Sequence, residues 1–272
     1  MSEDKDIGTE IVKEIAKEAY KDGGKAIVKP AGELGGLLIR TVKAAFAPIE
    51  KWTLQREYNV AEMRKLLEQK LERVNIDSIE SPEPYIALPA VQYLSYCMDK
   101  EELRDMYANL LASSMITVIK NGVHPGFVEI IKQLSPDEAK ILKHISLKQV
   151  IPVINLRYQN ENGNGIDVIK DFSDVGEKTD CEQKYETEKH FDNLNRLGLI
   201  VRSGSFASLT EKTLYEPLKQ HQYLKPYRGL QPYIDQGFTN EVFTEGYMRL
   251  TSFGKAFCDI CVNFPDAVVV TE

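Results

Sequence analysis

Through the first half of the chain, apolar residues recur every three or four positions; after residue 150 they gather into short β-branched runs. Ile7, Ile11, Ile15 and Ala19, with Val12 and Ala16 beside them, share one helical face. "KDGGK" breaks that helix, and Pro30 suits the first turn of the next. There Leu34, Leu37, Leu38, Val42, Ala45, Phe46 and Ile49 form a stripe opposite Glu33, Arg40, Lys43 and Glu50, and Pro48 ends or kinks the helix. A third helix over about 49–74 carries Trp52, Met63, Leu66, Leu67, Leu71 and Val74. "SIESPEPYIALP" (78–89), with three prolines, has the composition of a linker. "DKEELRDMYANLLASSMITV" predicts a helix with Asp99 as its cap and Glu102 completing a capping box. "HPGFVEIIKQL" predicts a shorter helix opened by Pro125. In "SPDEAKILKHI" the start signal is repeated, with Ser135 as cap, Pro136 at the first position and Glu138 at the third.

Past residue 150, "VIPVINLRY" predicts a strand and "NENGNGIDVIKDFSD" a polar loop. "ETEKHFDNLNRLG" reads as a helix closed by Gly198, "LIVR" and "GYMRLT" as strands, and "SFGKAFCDICVNF" as a last helix capped by Thr251 or Ser252. This order predicts a mainly α protein: an N-terminal helical region over 1–77, a central one over 78–134, an α+β winged-helix-like domain over 135–264 and a tail over 265–272.

The composition belongs to an ordinary globular chain: 272 residues, 43% hydrophobic and 28% charged. A net charge of −7 argues against a protein that coats nucleic acid, which needs a basic balance. Four cysteines do not make a disulfide scaffold in a chain of this length, and "MSEDKDIGTE" has no apolar core of a signal peptide. A reducing cytoplasm is the expected setting.

The glycine-rich stretch "KPAGELGGLLIRTVKAAFAPIEKW" is the most apolar part of the chain. The 17 residues between Pro30 and Pro48 make about 25 Å of helix, short of a hydrocarbon core of about 30 Å. Arg40 alone costs roughly 2.5–3.5 kcal/mol near a bilayer centre. The stretch is therefore an amphipathic helix and not a span. Residues 21–51 nevertheless hold six bases against three acids, a local +3 that suits an anionic inner-membrane surface. Leu34, Leu37, Leu38 and Phe46, flanked by Arg40 and Lys43, are its candidate membrane or partner face.

Few groupings carry chemistry. Cys258 and Cys261 form a Cys-x-x-Cys, but a structural zinc site needs two more ligands at matching spacing, and Cys261 shares a helical face with Phe257, Ile260 and Phe264. The pair reads as packing thiols. Asp137, Glu138 and Lys140 fall in a helix's first turn, where capping and the helix dipole account for them. His124, His144, His190 and His221 stand in no nucleophile or HExxH frame, and no glycine loop matches a phosphate-binding fingerprint. No catalytic residue, metal or cofactor is expected.

A winged-helix end invites nucleic-acid binding, yet "EKTDCEQKYETEKHFDNLNRLG", read as the recognition helix, holds six acids against four bases. A net −2 opposes docking on phosphates. In "LYEPLKQHQYLKPYRGLQPYIDQGF" (214–238), Tyr215, Tyr223, Tyr227 and Tyr233 alternate with Lys219, Lys225 and Arg228. That pattern either packs the loop onto its domain or presents a surface for a protein partner or nucleic acid, and the sequence leaves both open.

"EIAKEAYKDGGKAIVKPAGELGGLL", "EELRDMYANLLASSM", "HPGFVEIIKQLSPDEAKIL", "RLGLI" and "LTSFGKAF", in this order over roughly 10–262, resemble the Abi-alpha family, a bacterial group associated by name with abortive infection. His124, Pro125, Phe127, Ser135 and Pro136 match its central motif, where their physics is helix entry and capping. The resemblance implies an antiphage-defence role and transfers no catalytic residues. The expected mode of action is non-enzymatic, through a protein partner or self-association; the alternatives are a membrane-active effector built on residues 6–47 and a winged-helix regulator.

Overall fold

The computed structural model describes residues 54–94, 96–203 and 207–264. The two helices predicted within residues 6–47, with Leu34, Leu37, Leu38, Arg40, Lys43 and Phe46, and the tail over 265–272 lie outside the described residues. The described chain divides into two compact units between Gln133 and Leu134, and the second closes at Val262.

In the first unit, α1 (Leu54–Leu71), α2 (Pro84–Leu94) and α4 (Gly126–Lys132) pack on α3 (Glu101–Met115). Every residue of α3 from Met106 to Met115 is buried, so it is the central rod of the unit. Two of its polar members have partners of their own: Tyr107 donates to the Val128 carbonyl at 3.3 Å and Ser114 to the Leu111 carbonyl at 2.7 Å. Two expectations fail here. The cap of α3 is Lys100, with no side-chain hydrogen bond, so Asp99 and Glu102 form no capping box; Asp99 instead pairs with Lys100 at 3.4 Å. The second half of the proline-rich "linker" is the start of α2, which buries Ile86, Ala87, Ala90, Val91 and Leu94. Pro84 opens that helix. Pro89 costs it one amide, but the carbonyl left over belongs to Tyr85, an exposed residue of the first turn.

The second unit opens as the spacing predicts. Ser135 Oγ accepts from the Glu138 amide at 3.2 Å and Glu138 Oε2 from the Ser135 amide at 2.7 Å, a full capping box on α5 (Pro136–Lys148). A four-stranded antiparallel sheet follows, in the order β2–β1–β4–β3. β1 (Val150–Gln159) is apolar in a nearly continuous run because both its faces are covered: Ile151 and Val153 lie on one, Ile154, Leu156 and Tyr158 on the other. β2 (Gly165–Phe172) occupies what the sequence reads as loop; it pairs with β1 from Gly165 opposite Gln159 to Phe172 opposite Ile154. β4 (Asn240–Leu250) pairs with β1 along its length and with the short β3 (Ile200–Arg202) on its other side. The segment read as one acidic recognition helix is two pieces, α6 (Val175–Lys178) and α7 (Thr187–Arg196), joined by a turn through Asp180 with φ +49°.

α10 (Ser252–Phe257) closes the unit. Thr251 caps it, accepting from the Gly254 amide at 2.8 Å and donating to the Gly198 carbonyl at 2.6 Å. This presses Gly254 against the backbone of Leu199, where an added Cβ would lie 1.8 Å from the carbonyl oxygen. Gly254→Ala is expected to lower stability by roughly 2–3 kcal/mol, because backbone on both sides must shift. A urea titration checks this, and an unchanged midpoint would contradict the packing.

Candidate functional site

Two clusters of chemistry-bearing side chains lie in the second unit. The first joins α5 to α7. Asp137 Oδ1 and Oδ2 accept the amides of Glu182 and Gln183, each at 2.9 Å, and Glu138 Oε1 accepts from Asn193 Nδ2 at 2.9 Å. His190, 3% exposed, stands between the two carboxylates: Nε2 is 3.9 Å from Asp137 Oδ2 and Nδ1 is 3.9 Å from Glu138 Oε1. Among the described residues neither ring nitrogen has a direct hydrogen-bond partner. Burial pushes the Asp137 carboxyl up, but the amides of Gln183 and Glu182 outweigh it and hold it below its ordinary value. Glu138 is likewise raised by burial and held below its ordinary value by His190, Ser135 and Asn193. Helix capping thus explains only part of "SPDEAK". The buried carboxylates clamp the turn before α7 and the helix itself onto α5. Cys181, beneath them, has its thiol pushed up by burial, which makes it a poor nucleophile.

The second cluster is the tyrosine-rich insertion between β3 and β4. It is built of short turns, including α8 (Glu216–Lys219) and α9 (Gln231–Ile234). Tyr215, Leu218 and Leu224 are fully buried against Ile154 and Phe172 of the sheet. The Tyr215 hydroxyl donates to the Gly246 carbonyl at 3.0 Å and accepts from the Leu209 amide at 2.9 Å. Tyr223 stacks on Phe172 and on Tyr185, with ring centroids 5.4 and 4.6 Å apart; burial, with Tyr227 beside it, pushes its phenol up to about 12. His221 Nδ1 accepts from the Tyr223 amide at 3.2 Å, which leaves Nε2–H to face Glu177 Oε2 at 3.1 Å. The Tyr185 hydroxyl donates to the other oxygen of Glu177 at 2.6 Å, and these two contacts hold the Glu177 carboxyl below its ordinary value.

Of the insertion's singled-out residues, Tyr215 is buried, Tyr223 and Tyr227 are half-buried neighbours, and Tyr233 stacks on Tyr158 at 5.3 Å. Arg228 pairs with Glu241 at 2.6 Å. Lys225 is exposed. His124 Nδ1 accepts from the Gly126 amide at 3.0 Å beside the ring of buried Phe127, and Pro125 caps α4. Ser135 and Pro136 start α5 in the second unit. Sequence reasoning missed the His190 pairing and the contact of Glu177 with Tyr185 and His221, because each joins segments far apart in the chain and leaves no local spacing.

Cys258 and Cys261 are buried; burial pushes the Cys258 thiol up to about 12 and the Cys261 thiol well above its ordinary value. Among the described residues no group of three or more His, Cys, Asp or Glu is placed to hold a metal ion, and no helix is long and apolar enough to cross a membrane.

The α3–α4–α5 course and the sheet after it fall within a match over residues 55–261 to the family model described as abortive infection alpha. The chain belongs to this family. The Abi-alpha match begins at residue 55, so the glycine-rich stretch on which part of the resemblance rests precedes it. No curated protein matches the chain. A solved structure, that of the uncharacterized protein from the hydrocarbon-degrading marine bacterium Alcanivorax borkumensis SK2, is similar at 15% identity over 50% of this chain and 92% of that one. Its TM-score of 0.36 carries no argument about this Abi-alpha chain.

Proposed function

We propose that this Abi-alpha protein acts in abortive-infection-type defence without catalysis, as a sensor or effector that engages a protein partner through the tyrosine-rich insertion. The abortive-infection role rests on family membership; the mode of action rests on one observation. The insertion is anchored by Tyr215, Leu218 and Leu224 and braced by Lys212 and Lys219 on Glu245 (2.6 and 3.0 Å), so its exposed residues, Leu214 and Lys225 among them, sit on a preorganised platform. Preorganisation lowers the entropy a binding surface must lose on association. The side chains most able to do chemistry support the same reading, since His190 and the cysteines of the second unit are buried in its core.

The test is phage challenge of cells expressing the wild-type chain or a Leu214→Ser/Lys225→Glu variant. The variant is expected to fold normally and to lose protection, because removing a contact worth about 2 kcal/mol weakens binding roughly thirtyfold. Full protection by a folded variant sinks the proposal.

A second reading has its own support. The second unit runs helix, strand, strand, helix, helix, strand, strand, with β4 between β1 and β3; apart from the additional β2 and the insertion, this order is similar to that of a winged helix. α7 itself carries Glu188 and Asp192 against Lys189 and Arg196, so the acidity that opposed groove docking belongs to the preceding turn and not to the helix. Binding of duplex DNA that weakens steeply with added salt would favour this regulator reading over the first.

A further inference from the structure

The hairpin tip joining β1 to β2 reads Asn160-Glu161-Asn162-Gly163-Asn164-Gly165, with residues 161–164 all exposed. It contains two Asn-Gly pairs that differ in how they are held. Asn164 is pinned on both sides. Its carbonyl accepts from the Asn160 amide at 2.8 Å, and its amide donates to Asn160 Oδ1 at 3.0 Å. Gly165, which follows it, already belongs to β2 and lies so close to β1 that an added Cβ would be 2.1 Å from the Tyr158 carbonyl oxygen. Asn162 is held on one side alone: its amide donates to the same Asn160 Oδ1 at 3.0 Å, but no backbone amide of the described residues donates to its carbonyl, and the residue after it is not part of a strand. Gly163 has φ +80° with nothing within 4 Å of its missing Cβ, and its amide makes one contact, to the Asn160 carbonyl at 3.0 Å.

We infer that Asn162 is a site of spontaneous covalent modification, by deamidation through a cyclic imide, and that the adjacent Asn164 is protected from it. In the reaction the Gly163 amide nitrogen gives up its proton to solvent base and attacks Cγ of Asn162. The N–Cγ bond forms, the Cγ–Nδ2 bond breaks, and ammonia leaves with a proton from solvent. Water then opens the imide. Attack at Cγ returns aspartate, whereas attack at the backbone carbonyl carbon leaves an isoaspartyl link routed through Cγ. The balance is water in and ammonia out, with no change of oxidation state. Gly163 is suited to the step because it has no side chain to shield its nitrogen and its one hydrogen bond lies at a solvated tip. For Asn164 the same attack requires rotation that breaks both contacts to Asn160 and lifts Gly165 off β1. The product places a new carboxylate beside Glu161 and, in the isoaspartyl form, an extra backbone methylene in a tight turn. The hairpin tip thus records the age of each copy.

Incubating the full chain at mildly alkaline pH, with peptide mass mapping and isoaspartyl methyltransferase labelling over time, tests the inference. Conversion is expected at Asn162 severalfold faster than at Asn164, and Asn162→Gln is expected to remove the fast phase. Asn160→Ala, which removes the Oδ1 contacts to both asparagine amides and keeps the backbone contact to the Asn164 carbonyl, is expected to raise the Asn164 rate while Asn162 stays the faster site. Equal or faster conversion at Asn164 in the wild-type chain overturns the proposal. So does an inert Asn162 when a synthetic peptide of residues 158–167 converts under the same conditions. The wild-type and peptide comparison decides the matter even if Asn160→Ala fails to fold.

Discussion

Tyr215→Ala is expected to destabilise the second unit by about 3–5 kcal/mol, the cost of deleting a buried aromatic from a well-packed core. The side chain has no residual exposure, and its ring lies in a cluster that ties the insertion to β1 and β2. Its hydroxyl also satisfies a donor and an acceptor, the Leu209 amide and the Gly246 carbonyl. Tyr215→Phe separates these effects. It keeps the packing and leaves two polar groups unmet, so a smaller loss of roughly 1–3 kcal/mol is expected. Hydrogen exchange of the β1 and β4 amides reads both losses inside the unit, without assuming that the whole chain unfolds in one step. If the alanine variant leaves those amides as protected as before, the insertion is a loose appendage, and the platform on which the proposed partner surface rests does not exist.

Asp137→Ala is expected to cost roughly 1–3 kcal/mol, since it strands two part-buried amide donors, those of Glu182 and Gln183. It also removes one of the two carboxylates flanking His190. The effect has a pH signature. Asp137 and Glu138 both have carboxyl groups held below their ordinary values in the folded unit. A depressed carboxyl contributes stability that is present above its unfolded range, near pH 4, and is lost as pH falls through the folded value. The wild-type unit is therefore expected to weaken on acidification below about pH 4, and the alanine variant to show a shallower slope across the same window. Identical slopes would mean that the two amide contacts do not form.

Signals confined to a few neighbouring residues were legible in the sequence. The Ser135–Glu138 box, the Thr251 cap and the strand β1 all appear where the local pattern puts them, because each depends on groups within four residues or on a short β-branched run. Local rules misled where packing overrode them. Three prolines suggested a linker over 78–89, but the apolar residues between them pack on α3, and Pro89 falls where its missing amide costs least. β2 hides behind Asn and Gly at its start and Asp171 near its end, where φ is +46° and the Asp171 amide turns to Asn155 Oδ1 at 2.9 Å. The His190 cluster draws on residues 53 positions apart, Asp137 and His190, and no spacing rule spans that distance. The tyrosines of the insertion were visible as a pattern; their division between anchors such as Tyr215 and exposed neighbours such as Lys225 became visible only with the sheet beneath them.

β4 lies between β1 and β3 and is the last strand among the described residues, with Arg249 opposite Val150. During synthesis the β1–β2 hairpin can close as soon as it emerges, but the interior of the sheet waits for β4, which follows the whole insertion. Such distant pairing folds slowly, and in the interval β1 presents a row of unmatched amides and carbonyls to any neighbouring chain. A nascent or truncated copy ending before Asn240 is therefore not a smaller version of the protein but an aggregation-prone one, and this unit cannot exist until β4 has been made.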